Sequence, residues 1–136
     1  MLYKIPYSFA VTFQLVLLTL VFAFHLLVLS GWIPYALVWG GKLSSHSEML
    51  AFEGISIAVN ALLFISIVAH KRSPSKHVVF KIARVIVFLF SGLFVLNTVG
   101  NLFAEMQLET ILFTPITFVS ALFCLRIALE KKQVEK

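Results

Sequence analysis

His25 and Glu53 are the two residues in this chain best placed to do chemistry, because each lies in or beside a long run of Leu, Ile, Val and Phe. A carboxylate in hydrocarbon is costly unless it is paired or hydrated, and a nearby imidazole can share its proton. Other polar residues recur at helical spacing. Gln14, Leu18, Val21 and His25 follow i, i+4, i+7, i+11; Glu53, Ser56 and Asn60 share a second face; Asn97 and Asn101 stand at i, i+4. Thr110, Thr114, Thr117, Ala121 and Cys124 form a fourth stripe. In lipid such stripes gain by turning toward one another. His25, Glu53, Asn97, Asn101 and Thr114 would then gather in one half of a bundle, beneath an aromatic segment containing Trp39. Two readings stay open for them: a ligand-binding pocket, or interhelical hydrogen bonds that hold the helices together. Glu53 alone would also be satisfied at a water boundary.

Much other chemistry is missing. The chain has one cysteine, Cys124, so neither an intrachain disulfide nor a Cys-x-x-Cys redox pair is possible, and its apolar setting reads as packing. There is no Asp, which removes an aspartyl-type intramembrane protease. No His-Glu-x-x-His, glycine-rich phosphate loop or Gly-x-Ser-x-Gly elbow appears. His25, His46, Glu48 and Glu53 do not fall in a metal-ligand spacing, so neither a metal nor a cofactor is expected. His46 reads as a polar loop residue, and His70 and His77 as solvated surface.

The elements that must position these residues follow from composition. Of 136 residues 60% are hydrophobic and 12% charged, against about 25% charged in a soluble domain. Four runs reach the roughly 20 residues needed to cross hydrocarbon: 8–30, 50–69, 80–102 and 110–129. No alternating pattern suggests a barrel, and backbone groups in lipid must be satisfied internally, which leaves helices. The first run, after Lys4, is too long for a signal peptide core and reads as a retained helix. One transmembrane domain over 1–136 is expected, an all-α antiparallel four-helix bundle, with the tail from Glu130 continuing the fourth helix before fraying.

Charge sets the expected orientation. With the N-terminus inside, Lys4, Lys71, Arg72, Lys76, Lys81, Arg84, Arg126, Lys131, Lys132 and Lys136 face the cytoplasm and only Lys42 lies outside, ten against one among the 11 basic residues. Both termini and the 70–79 turn are thus expected in the cytoplasm, and the 31–49 loop outside. The same distribution explains the net charge of +5 without nucleic acid. Membrane lipids are the expected partners, with a membrane-protein partner or a second copy also open.

The outer loop is unusually apolar. Trp32, Tyr35 and Trp39 at i, i+3, i+7 would line one side of a short helix stopped by Gly40-Gly41. Such a helix would lie in the interface as an anchor or fold over the bundle mouth as a lid. Two segments, Ile33-Pro34-Tyr35 through Val38-Trp39-Gly40-Gly41-Lys42-Leu43 with Glu48-Met49 and Phe52-Glu53, and Leu96-Asn97-Thr98-Val99-Gly100-Asn101-Leu102 with Phe113-Thr114-Pro115, resemble an uncharacterised group of small bacterial four-helix membrane proteins. The resemblance extends over nearly the whole chain. It implies the same topology and a bacterial cytoplasmic membrane, and no activity. The function expected is non-enzymatic: binding of a lipid-like or small amphipathic ligand, or of a partner membrane protein, in the outer half. A small proton-coupled permease and a membrane enzyme using His25 and Glu53 are the alternatives.

Overall fold

The structure, a computed structural model, describes residues 2–35, 38, 43–103 and 109–130. Trp39, Gly40, Gly41, Lys42, Glu105, Lys131, Lys132 and Lys136 lie outside the described residues, as does the side chain of Glu109. Four α-helices follow in order: α1 Tyr7–Leu29, α2 His46–Arg72, α3 Val78–Leu102 and α4 Thr114–Ala128. All four segments are long and apolar enough to cross a membrane, the fourth counted from Thr110. The chain is an all-α, multi-pass membrane protein. Each helix packs on its sequence neighbours and α1 closes against α4, so the four form an antiparallel ring.

The exterior of the ring is oily, with Val16, Leu20, Ile55, Ile65, Leu89 and Leu96 all exposed. In water this surface would drive aggregation; in lipid it meets its own kind. The principal core, on the side of the termini, holds Ala10, Val11, Leu18, Leu63, Ile67, Val87, Cys124 and Ile127. A second core at the opposite end joins Val28 and Met49 to Val38 and Leu43 of the long loop. Among the described residues, this part of the loop packs onto the ends of α1 and α2. Tyr35 and Ile33 pack against it, whereas Trp32 points away and is 83% exposed.

Local chemistry explains the element ends. α1 stops at Gly31, whose φ of +79° is open to glycine and strained for other residues. α2 begins four residues before the hydropathy pattern, because Ser45 caps it: its Oγ accepts the Glu48 amide at 3.2 Å, and the Glu48 carboxylate accepts the Ser44 amide and hydroxyl at 2.9 and 2.8 Å. His46 is accordingly the first residue of the helix rather than part of the loop. α4 is preceded by a π-turn, Glu109–Phe113, and carries Pro115 in its first turn, where no amide hydrogen is required. It ends at Ala128, so Glu130 lies beyond the helix and does not continue it.

The end of the bundle bearing the termini is tied by side chains that hydropathy hides. Arg126 is buried, donates from Nε to the Ile5 carbonyl at 2.8 Å and pairs with Glu130. Arg84 Nε donates to the Ala128 carbonyl at 2.7 Å. His70, expected at a solvated surface, is instead fully buried: its Nδ1 lies 3.0 Å from the Tyr7 hydroxyl and its ring stacks on Phe80. α2 runs on to Arg72, and this carries His70 under Tyr7 and Phe80 while Lys71 and Arg72 remain exposed.

Candidate functional site

α1 and α2 run antiparallel and cross-link at the loop end through one polar pair. His25 Nδ1 lies 2.5 Å from Glu53 Oε2, with Glu53 0% and His25 7% exposed. His25 falls on the buried face of α1 with Gln14, Leu18 and Val28; Glu53 falls on that of α2 with Met49 and Leu63. The two atoms can share one hydrogen bond with either as donor: an imidazole N–H to carboxylate, or a carboxylic acid O–H to neutral imidazole. The pair can therefore hold a proton without exposing a lone charge to hydrocarbon.

One turn beyond this pair, toward the loop, lies a recess of about 510 Å³. Val28 stands three residues after His25 and Met49 four before Glu53, so these two side chains separate the pair from the recess. Ile33, Pro34 and Tyr35 of the loop line one side of this largely open recess, and His46 stands at the start of α2 beside it. The walls are mostly apolar, with polar groups from Ser30, Tyr35 and His46. Pockets of roughly 300–1,000 Å³ with few polar groups are typical of small-molecule sites.

Of the remaining sequence-derived site residues, Trp39 lies outside the described residues, and Asn97, Asn101 and Thr114 lie on α3 and α4, away from this pair. Asn101 is half-buried on α3, with Nδ2 3.5 Å from Thr117 Oγ1, and the Thr98 and Thr117 hydroxyls are 2.9 Å apart. Thr110 donates to the Asn101 carbonyl at 2.9 Å. These contacts join α3 to the start of the fourth span. Thr114 is half-buried, and its hydroxyl oxygen has no partner among the described residues. Asn97 is exposed, contrary to the inward placement expected for it. The inward face of α3 runs through Val87, Ser91, Phe94, Thr98 and Asn101, and this leaves Asn97 on its flank. Asn60 is half-buried and satisfies itself within α2, donating to the Ser56 carbonyl at 2.8 Å.

The sequence points to a polar pocket under the loop but not to the walls of this recess, which are ordinary Val, Ile, Pro and Met. Its one signal was the apolar character of the loop. Among the described residues no group of three or more His, Cys, Asp or Glu side chains could hold a metal ion. The fold and site together define a class: a small multi-pass bundle with one buried acid–imidazole pair below an apolar recess. No protein-family model, curated protein or solved structure matches the chain, so function has to be argued from this geometry.

Proposed function

We propose that this protein is a non-enzymatic membrane protein that binds a small, single-chain amphiphile in the recess at the loop end of the bundle. The tail of the ligand lies against Val28, Met49 and Ile33, and its polar group faces Tyr35 and His46. The His25–Glu53 pair clamps α1 to α2 beneath the recess and so acts as a positioning element. The observation that carries this reading is the mostly apolar recess one turn from a buried acid–imidazole pair. The excess of basic residues at the other end supports an orientation with both termini in the cytoplasm of a bacterium, which would open the recess to the outer side. A permease reading would need a polar route through the middle of the bundle, and there Leu18 is buried and Phe22 packs edge-on against Phe64.

The test uses purified protein in lipid nanodiscs and a dansyl-labelled fatty acid as probe. Binding should saturate and fall sharply in Met49→Trp, which fills the recess from one wall. It should also weaken in Glu53→Leu, while Leu89→Trp, on the exposed face of α3, leaves it unchanged. Equal binding by all four proteins would mean partition into lipid and would remove the proposal.

A further inference from the structure

A second polar site lies deeper, in the half of the bundle near the termini, and no part of the recess reaches it. Gln14 is 0% exposed, and neither its Nε2 nor its Oε1 has a hydrogen-bond partner among the described residues. The hydroxyl of Ser120, also 0% exposed, has none either. Two neighbouring contacts set the register between their helices. Phe9 and Phe13 both pack on Phe123, with ring centroids 5.7 and 4.8 Å apart, and Arg126 reaches the Ile5 carbonyl. Because α1 and α4 are antiparallel, this places Ser120 level with Gln14 to within about one turn of 5.4 Å.

The other two helices each bring a buried serine to the same layer. The His25–Glu53 and Tyr7–His70 contacts fix α2 against α1 and put Ser66 within about a turn of Gln14. Ser91 Oγ donates to the carbonyl of Ala121, the residue after Ser120, at 2.8 Å. Ser66 uses its hydroxyl proton on the Leu62 carbonyl at 2.7 Å. Both serine oxygens keep lone pairs that can accept. The layer thus combines the two amide hydrogens and carbonyl oxygen of Gln14 with three hydroxyls, and its surroundings are apolar: Val11, Leu18, Leu63, Ile67, Val87 and Cys124.

We infer that this layer is a hydration site, in which water bridges Gln14 and Ser120 inside the bundle. The unmet groups include both donors and acceptors, which water satisfies together and a bare cation does not. A cation would also call for carboxylates or a shell of carbonyl oxygens. Buried waters occur where two to four polar partners converge, and a fully buried primary amide is among the groups that most need them. Leu18 and the Phe22–Phe64 pair lie between this layer and His25–Glu53, so the water is separate from the ligand recess.

Water-edited solid-state NMR on the intact protein in lipid bilayers tests the inference directly. The Gln14 side-chain amide, assigned through its own backbone, should receive magnetisation from water about as fast as the exposed Ser44 amide, although Gln14 is buried. The transfer should drop in Ser120→Ala, whose fold is checked by an unchanged His25 resonance. A Gln14 amide that stays dark to water would overturn the inference, as would a direct proton contact between Gln14 and Ser120 in its place. Transfer that is indifferent to Ser120→Ala would overturn the bridge.

Discussion

Removing the two halves of the buried pair should not cost the same. His25→Leu takes one partner from a carboxyl group that is 0% exposed, and breaking a buried pair in this way costs up to about 3–5 kcal/mol. Glu53→Leu leaves an imidazole that can remain neutral, so the loss is closer to one charge-assisted hydrogen bond, about 1.5–3 kcal/mol. The double substitution removes both desolvation penalties together. Replacing a buried ion pair with apolar residues of similar volume is often neutral or better, so the double variant should be more stable than His25→Leu alone. The coupling should then be at least as large as the Glu53→Leu loss, about 1.5–3 kcal/mol. Forced unfolding of single molecules in bicelles, read with magnetic tweezers, gives the three free energies relative to the parent. Equal single losses that simply add in the double variant would refute the reasoning, because they would mean the two buried side chains are not coupled.

Three further outcomes follow from local geometry and can be read with the same or simple assays. Gly31→Ala should lose about 1–2 kcal/mol in the tweezer measurement, all of it from the left-handed backbone, since an added Cβ would meet nothing within 4 Å. Ser45→Ala removes the acceptor for the Glu48 amide and should lose about 1 kcal/mol, with faster hydrogen exchange confined to the first turn of α2. Because Cys124 is buried, single cysteines at Trp32 and Lys76, both exposed, report orientation cleanly. An impermeant maleimide should label Trp32→Cys on intact cells and Lys76→Cys only after permeabilisation, and the reverse pattern would invert the proposed topology.

What could be read ahead of the structure depended on how loudly each residue speaks against its background. Four spans are legible because long apolar runs have no other soluble explanation. His25 and Glu53 stand out for the same reason: a titratable side chain in an oily run needs a partner, and each offered the other one. His70 was hidden by its neighbours, since Lys71, Arg72 and Ser73 read as a surface turn while the helix in fact continues through Lys71 and Arg72. Asn97 misled because two asparagines at i, i+4 define a face as well as Phe94, Thr98 and Asn101 do, and periodicity alone does not choose between stripes one residue apart. Ser66, Ser91 and Ser120 gave almost no signal, because serine is common in transmembrane helices and often bonds its own backbone, as Ser66 does. The recess was illegible in kind: it is a shape made by apolar walls, and only the packing of the loop on Val28 and Met49 creates it.

Occupancy of that recess is the point on which the account turns, and photo-crosslinking addresses it most directly. A fatty acid carrying a diazirine near its terminal methyl group, irradiated with the protein in bilayers and mapped by peptide mass spectrometry, should mark Val28, Ile33 and Met49 and be displaced by excess unlabelled fatty acid. Adducts spread over Ile55, Ile65, Leu89 and Leu96, with no displacement, would show an amphiphile that meets only the outside of the bundle and would contradict the account.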